Sequence, residues 1–533
     1  MRTIPELLRR AAEARAIEPL ASAGDRSLGG YELRQAVGYL AAGFLEEGLK
    51  KGDRVALFLP NGLEFLQCWL ALAEIGATAV PINTALKAAE VAFILDHAQA
   101  AALIAGAELP QELGGAEAPW TGRTIFAGER AAHSLFETGV PLEELQGVHA
   151  VDFFPEVEED DVATFVYTSG STGRPKAVMQ THRTYVLSGE GFAHWVGIRP
   201  GDRVLAVLPL FHINAQAYST MGALAGGATL VIAERFSASG FWELARSSGA
   251  THFNCVGAMM QILCKREPSA GERDHAVRVA YCAPALPPEV HEAAERRFGL
   301  KIVIGYGLSE CTYGTVTPLD GPGRPPSMGL PRQHPSGATV NRVRVVAADG
   351  SDAPIGEPGE IWLANDAVMK GYWRDPESTE RALADGWLHT GDIAVRDAEG
   401  WLTFVDRRTD QIRRRGENIA AREVEEVLSA HPAVLEAAVI GVPSELGEDD
   451  VKAFAVLKEG QSVGPEELVR WCASRLAAFK VPRYLELRTE LPRTPTHRVA
   501  KPVLKKEPLC PPGCWDGEGE DRRWKVEGGR SSQ

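Results

Sequence analysis

Apolar residues recur at helical spacing through YELRQAVGYLAAGFLEEGL (31–49), and KGDRVALFLP then reads as a turn leading into a short buried strand. LEFLQCWLALAEIGA predicts a second helix and TAVPIN a second strand. This alternation, punctuated by Gly and Asp, continues past residue 300. It predicts an α/β fold of open, mainly parallel sheets covered by helices. The pattern then changes. Segments 340–375 and 386–406 carry strand alternation and turn groups such as ADG and DAEG, which predict a β-rich subdomain. After VDRRTDQIRRRGEN come an amphipathic helix, REVEEVLSAHP, two strands, VLEAAVIGVP and DDVKAFAVLKEG, and a further helix, EELVRWCASRLAA. Together they predict a small α+β unit of about a hundred residues, a reasonable domain size. The expected division is a large domain over 1–406 and a small one over 411–507. Residues 508–533 are Pro, Gly and charge with little to bury, and are expected to form a disordered tail. No internal repeat interrupts this order.

A length of 533 residues exceeds one ordinary domain and agrees with that division. A content of 45% hydrophobic and 24% charged residues describes a soluble globular protein. The formal charge of -15 argues against a general affinity for nucleic acid, because displacing phosphate counterions needs a positive surface. Local basic patches remain open. The eight cysteines are scattered, several inside apolar segments (Cys68, Cys255, Cys264), a usage that suits reduced thiols. The opening MRTIPELLRRAAEARAIE is amphipathic and charged, unlike a signal peptide, and no apolar run reaches the ~18 residues of a membrane span. The expected location is the cytoplasm; a homodimer is left open.

The stretch TFVYTSGSTGRPKAV (164–178) carries the densest candidate chemistry. Hydroxyls of Thr168, Ser169, Ser171 and Thr172 and the backbone N–H groups of Gly170 and Gly173 can wrap an anion, glycine permitting close approach. Lys176 adds a cation. The spacing is not that of the GxxxxGK[ST] nucleotide loop. By composition alone, an ordinary turn remains equally open.

The order of residues is more specific than their composition. YTSGSTGRPKAV closely resembles the phosphate-binding signature of the adenylate-forming superfamily, in its acyl-CoA synthetase branch. The resemblance runs from GYELRQAVGYLAAGFLEEGLKKGDRVALFLPNGLEF to LPRTPTHRVAKPVLKK and excludes the tail. It implies activation of a carboxylic acid by ATP and Mg²⁺ to an acyl-adenylate (acyl-AMP), followed by transfer of the acyl group to coenzyme A.

Further motifs carry the same resemblance. In LPLFHINA, His212 corresponds to the residue beside the acyl carboxylate and the thiol's entry path. In YCAPALPPE, Ala283 and Pro284 correspond to backbone contacts with adenine, and Cys282 replaces the usual preceding glycine. In GYGLSE, Tyr306 would stack on adenine, with Gly307 beside it, Ser309 would hydrogen-bond a phosphate oxygen, and Glu310 would hold Mg²⁺. In GWLHTGDIA, Asp392 would accept the ribose hydroxyls. Arg407 corresponds to a residue that supports ribose or phosphate near the domain junction. Asn214, Val256, Gly257, Met260 and Gly305 fall in the segments that line the family's acyl pocket. Their small and adaptable side chains lean toward a bulky, largely apolar acid.

The resemblance also implies a rotation of the small domain about a hinge at 407–410, with Thr409 where the family usually has Asp or Lys. Rotation would bring Arg413, Arg415, Gly416 and Glu417 to coenzyme A. Arg413, Arg414 and Arg415 cannot all face one way on a strand, so a solvated basic edge suits at least one of them. In LPRTPTHRVAK the family pattern is close to PxTxxGKxxK, whose lysine serves adenylation. Here His497 replaces the glycine and Arg498 the catalytic lysine; Lys501 falls at the later basic position. Arg and Lys differ in shape and hydration, and the exchange is not conservative at a tight site. The expectation is weakened adenylation with thioester formation from ready-made acyl-AMP retained, a separate adenylating enzyme then supplying that anhydride. An ordinary two-step ligase, a silent nucleotide-binding homologue, luciferase-like oxidation and amide formation remain open.

Overall fold

The computed structural model describes residues 3–517 apart from 85, 87, 107–108, 110–112, 114–119, 128–134, 136–138, 146–153, 169–174, 270, 322, 338–339, 408–410, 415–416, 445–448, 477, 479 and 495–497. Two large sheets share a middle layer of helices. The nine-stranded sheet has a parallel centre in the order Lys301–Leu308, Val279–Ala283, His252–Val256, Arg203–Ala206, Thr229–Ile232, Pro19–Ala23, with antiparallel strands at both edges. The eight-stranded sheet runs parallel from Val162–Thr168 through Thr78–Pro81, Arg54–Phe58, Ala102–Ala105 and Arg123–Phe126 to Val140–Pro141. Lys176–Thr181 turns back antiparallel on Val162–Thr168.

The middle helices explain how the two sheets come together. Leu63–Glu74 buries every residue but Glu64, as a helix enclosed on all sides must. Its Trp69 Nε1 donates to Thr164 Oγ1 at 3.0 Å, so the one polar atom of the ring is satisfied inside the core. His182–Val196 begins at Thr181, whose hydroxyl accepts from the Thr184 N–H, and ends at Gly197 in the left-handed region. Asn61 then ties the sheets together. Its Nδ2 donates to the carbonyls of Leu208 (3.2 Å) and Ala233 (3.0 Å), and its Oδ1 accepts from Leu210 N at 2.7 Å. The loop carrying Phe211 and His212 is thereby pinned to the end of the neighbouring sheet's strand Arg54–Phe58.

The β-rich subdomain is a four-stranded antiparallel sheet, Arg342–Val346, Pro358–Ala364, Leu388–Arg396 and Leu402–Arg407. The small domain opens with the hairpin Gln411–Arg414 and Glu417–Ala420. Its main sheet joins Val434–Pro443, Asp449–Leu457, Tyr484–Arg488 and Trp515–Asp516, and helices Ala421–Ser429 and Pro465–Ala473 pack with it. That last strand corrects the expected tail as far as residue 517; its remainder, 518–533, lies outside the described residues. Trp515 and Asp516 pair with Leu485 and Tyr484, because the edge of Tyr484–Arg488 would otherwise leave its backbone groups open. The expected hinge residue Thr409 lies outside the described residues.

Replacing Asn61 by Ala leaves two carbonyls and one N–H without their partner. Urea unfolding followed by fluorescence should show a loss of about 2–3 kcal/mol; an unchanged midpoint would mean that water replaces the amide.

Candidate active site

Parallel strands end together, so their C-terminal ends form a row of loops over one edge of the sheet. Along the nine-stranded sheet that row brings together Gly305 and Tyr306, Ala283 and Pro284, and Val256 and Gly257, with Val256 in register with Ala283. Val256 is exposed and Pro284 is exposed, whereas Met260 is wholly buried in the apolar cluster beneath, among neighbours that include Phe253 and Leu286. Gly305 has no room for a side chain: a Cβ there would lie 2.1 Å from the Tyr281 hydroxyl. Tyr281 therefore occupies the space beside this glycine. Gly307 is exposed, and a Cβ on it would come within 2.8 Å of the Tyr218 hydroxyl.

The loop after Arg203–Ala206 contributes half-buried His212, its ring 4.4 Å from that of Phe211. Asn214 opens a π-helical segment, Asn214–Thr220, and its Oδ1 accepts from Asn254 Nδ2 at 2.9 Å. Such wide turns hold side chains at angles an α-helix does not offer and recur at functional sites.

From the other sheet, Thr168 and Lys176 face each other across the base of the Ser/Thr/Gly loop. Ser169, Gly170, Ser171, Thr172 and Gly173 lie outside the described residues. Lys176 is half-buried and engaged: Nζ donates to Ser378 Oγ at 2.6 Å, lies 3.5 Å from Asp375 Oδ2, and sits 5.0 Å over the Tyr372 ring. Asp375 caps the helix Pro376–Ala382 by accepting from Ser378 N. Burial works to raise its pKa, but hydrogen bonds from Ser378 and the Lys176 charge hold the carboxyl below the usual range. The Tyr372 hydroxyl donates to Glu310 Oε1 at 2.9 Å. Burial first, and the Glu310 charge second, push that phenol well up, so it stays a donor. Ser309 reaches the same corner, its carbonyl accepting from Gln180 Nε2.

The third wall comes from the β-rich sheet. Asp392 is buried, and its Oδ2 accepts from the Tyr306 hydroxyl at 2.7 Å. The turn before it is made by Gly391, at φ +71°, whose N–H donates to Glu360 Oε1 at 2.8 Å. Arg407 pairs with Asp392 across the strands. The structure thus joins Tyr306 to Asp392 and links Lys176 and Glu310 through Tyr372.

In the small domain, Arg413 pairs with Asn418 and Arg414 with Glu417, while Arg415 and Gly416 lie outside the described residues. Arg414 turns inward: it is buried, 3.0 Å from Asp450 Oδ1, and donates to the Val481 carbonyl. Of the three adjacent arginines this one serves the small domain's own core, as strand alternation requires. Arg498 is exposed on a tight turn in which Thr494 N donates to its carbonyl at 2.7 Å and its N–H donates to Thr494 Oγ1 at 3.2 Å. His497 lies outside the described residues. Lys501 Nζ is 3.0 Å from Glu425 Oε1. Tyr372, Asp375 and Ser378 were absent from the sequence expectations. The dipeptide Asp375–Pro376 signals a helix start, but nothing local signals that its carboxylate and Ser378 meet Lys176.

Comparison with known proteins places these groups in context. A family model described as AMP-binding enzyme matches residues 8–373, and one described as AMP-binding enzyme C-terminal domain matches 423–498. A crotonobetaine/carnitine–CoA ligase of Escherichia fergusonii is 35% identical over 485 residues, covering 89% of this chain and 92% of its own. Its counterpart from a strain of Escherichia coli is 35% identical over 492 residues with the same coverage. Among solved structures, the anthranilate CoA ligase AuaEII in complex with anthranoyl-AMP superposes with a TM-score of 0.83 at 25% identity, covering 94% of this chain and 96% of that one. The O-succinylbenzoate coenzyme A synthetase of Bacillus subtilis in complex with AMP gives 0.81 at 28% identity, covering 94% and 98%. The two family models together cover most of the chain, and the likeness to CoA ligases spans nearly its full length: the chain belongs to the adenylate-forming family of AMP-binding enzymes, in its acyl-CoA ligase branch, and is an acid–thiol ligase.

Proposed function

We propose that this ligase joins a carboxylic acid to coenzyme A through an acyl-adenylate, and that its adenylation step is weak while its thioester step is intact. The observation that carries this reading is Arg498, on its exposed turn, at the position of the family's catalytic lysine. Asp392 would accept the ribose hydroxyls beside the Tyr306 hydroxyl, and the Tyr306 ring would cover adenine. Lys176 would meet phosphate oxygens, leaving Ser378 and Asp375 for a stronger anionic partner. Glu310, a hard oxygen donor already oriented by Tyr372, fits Mg²⁺ held mainly by phosphate and water. Among the described residues no group of three or more His, Cys, Asp or Glu forms a metal cage, which suits such a site. The bound ion would neutralise phosphate charge.

In adenylation a carboxylate oxygen of the acid attacks the α-phosphorus and pyrophosphate leaves. The family's lysine delivers a compact charge to that centre; the broad guanidinium of Arg498 does so less well. Loss of one such charge contact costs ~3–4 kcal/mol, two to three orders of magnitude in rate. In the second step the thiol sulfur attacks the acyl carbon, its proton leaves, and AMP departs. That step does not use the Arg498 position, because rotation of the small domain presents Glu417 and its neighbours instead. His212 would stand beside the acyl carbon. The amide pair Asn214–Asn254 would border the acyl group and suits a polar acid better than the bulky, largely apolar one expected from the sequence.

The wild-type protein should form thioester from synthetic acyl-AMP and coenzyme A at least ~100-fold faster than it exchanges pyrophosphate into ATP with the same acid, in line with the cost of a lost charge contact. Arg498→Lys should raise the exchange rate about 10- to 100-fold and leave the thioester step unchanged. Fast exchange in the wild type that Arg498→Lys does not improve would establish an ordinary two-step ligase. Failure of both half-reactions across a panel of acids would establish a silent homologue. Independently, Asp392→Asn should weaken binding of a non-hydrolysable ATP analogue about 10- to 100-fold in calorimetry, the loss of a charge-assisted hydrogen bond worth roughly 1.5–3 kcal/mol.

A further inference from the structure

The sequence CPPGC closes the arm that adds the last strand to the small domain, and nothing in the ligase reaction uses it. Five of the eight cysteines are buried (Cys68, Cys255, Cys282, Cys311, Cys472), and burial pushes Cys311 and Cys472 up to about 12. Cys510 alone is exposed, and Cys514, four residues on, is half-buried. The turn between them is set by the backbone. Pro511 and Pro512 have fixed φ, Gly513 lies at φ +91°, and Cys514 N donates to the Pro511 carbonyl at 2.9 Å. The fold of the turn brings Cys510 Sγ to 3.4 Å from the carbonyl of Cys514, whose own Sγ lies 3.5 Å from the Trp515 carbonyl, so both sulfurs sit at one end of the turn.

Both ends of the arm are clamped. Buried Lys452 donates to the Pro508 carbonyl at 3.0 Å, upstream of the turn. Downstream, Trp515 and Asp516 pair with the sheet, Asp516 lies 3.3 Å from Arg483, and Gly517 N donates to the Arg483 carbonyl. A loop held this way pays little further entropy to bring its two sulfurs into bond, since the ordering cost is already met by folding.

We propose that Cys510 and Cys514 form a reversible dithiol–disulfide site that reacts with low-molecular-weight disulfides such as oxidised glutathione. The Cys510 thiolate attacks one sulfur of the small disulfide and expels one thiol, leaving a mixed disulfide. The Cys514 thiolate then attacks the Cys510 sulfur and expels the second thiol. The protein gives up two electrons and two protons, and the small disulfide takes them up as two thiols. Two sulfurs alone do not make a metal cage, and among the described residues no further His, Cys, Asp or Glu completes one. Burial and the neighbouring Cys510 thiol push Cys514 up to about 12, with Lys452 opposing them. Each attack needs its sulfur as the thiolate, so closure speeds up with pH.

The test uses the full chain. Incubated with excess oxidised glutathione at pH 8, the wild type should lose two hydrogens in intact mass, drop from eight free thiols by two, and yield a Cys510–Cys514 cross-linked peptide. Dithiothreitol should restore all of them, and closure should run faster at pH 9 than at pH 7. Cys514→Ser should stop at a stable glutathione adduct on Cys510, and Cys510→Ser should acquire no adduct at Cys514. Persistent glutathione on wild-type Cys510, a disulfide-linked dimer, pairing with another cysteine, or no reaction would each overturn the proposal.

Discussion

The hydrogen bond from the Tyr306 hydroxyl to Asp392 Oδ2 joins the last parallel strand of the nine-stranded sheet to the four-stranded β-rich sheet. Both residues are buried, so neither the phenol nor the carboxylate can turn to water instead. A charge-assisted bond in that setting contributes about 1.5–3 kcal/mol, and losing either partner costs more, because the other stays buried. Backbone bonds between Leu402 and Met328–Gly329, and an apolar cluster around Leu363, Ala394 and Leu402, hold the same two sheets together beside it. Glu310, two residues past the strand end at Leu308, and Gly391, one before Asp392, lie close by in sequence and are held by Tyr372 and Glu360.

A second contact of the same kind secures the opposite corner. Lys176, Asp375 and Glu310 are charges of both signs meeting around Tyr372, whose ring takes the cation and whose hydroxyl takes the carboxylate. Charges already held in place by their own partners lose no binding energy to being ordered when a ligand arrives. One aromatic side chain with two chemically distinct surfaces does this for a cation and an anion at once. The adjoining helix Pro376–Ala382 supplies the remaining partners, through the Asp375 cap and Ser378.

The small domain is organised differently. Its charges are spent internally: Arg414 and Arg483 share Asp450, and Lys452 is held by Glu486 and the Pro508 carbonyl. These buried pairs tie its strands to one another, whichever way the small domain faces. The arm ending in Trp515–Asp516 belongs to the same sheet, covering the edge of Tyr484–Arg488.

The α/β rhythm, the β-rich change near 340 and the separate α+β unit were legible in the chain, because the spacing of apolar residues is a local property. The motifs around Lys176, His212, Tyr306, Glu310 and Asp392 were legible too, since each lies within a few residues of its own signature. The folded molecule alone decided which of them meet. Lys176 reaches Ser378 across 202 residues of sequence and Tyr372 reaches Glu310 across 62. It also decided that Arg414 points into the core, that Tyr281 occupies the space beside Gly305, and that residues 515–516 form a strand rather than a tail. Proline, glycine and charge signal only that a segment cannot make its own core; whether a neighbouring sheet edge needs covering is a fact about the partner, and no local pattern carries it.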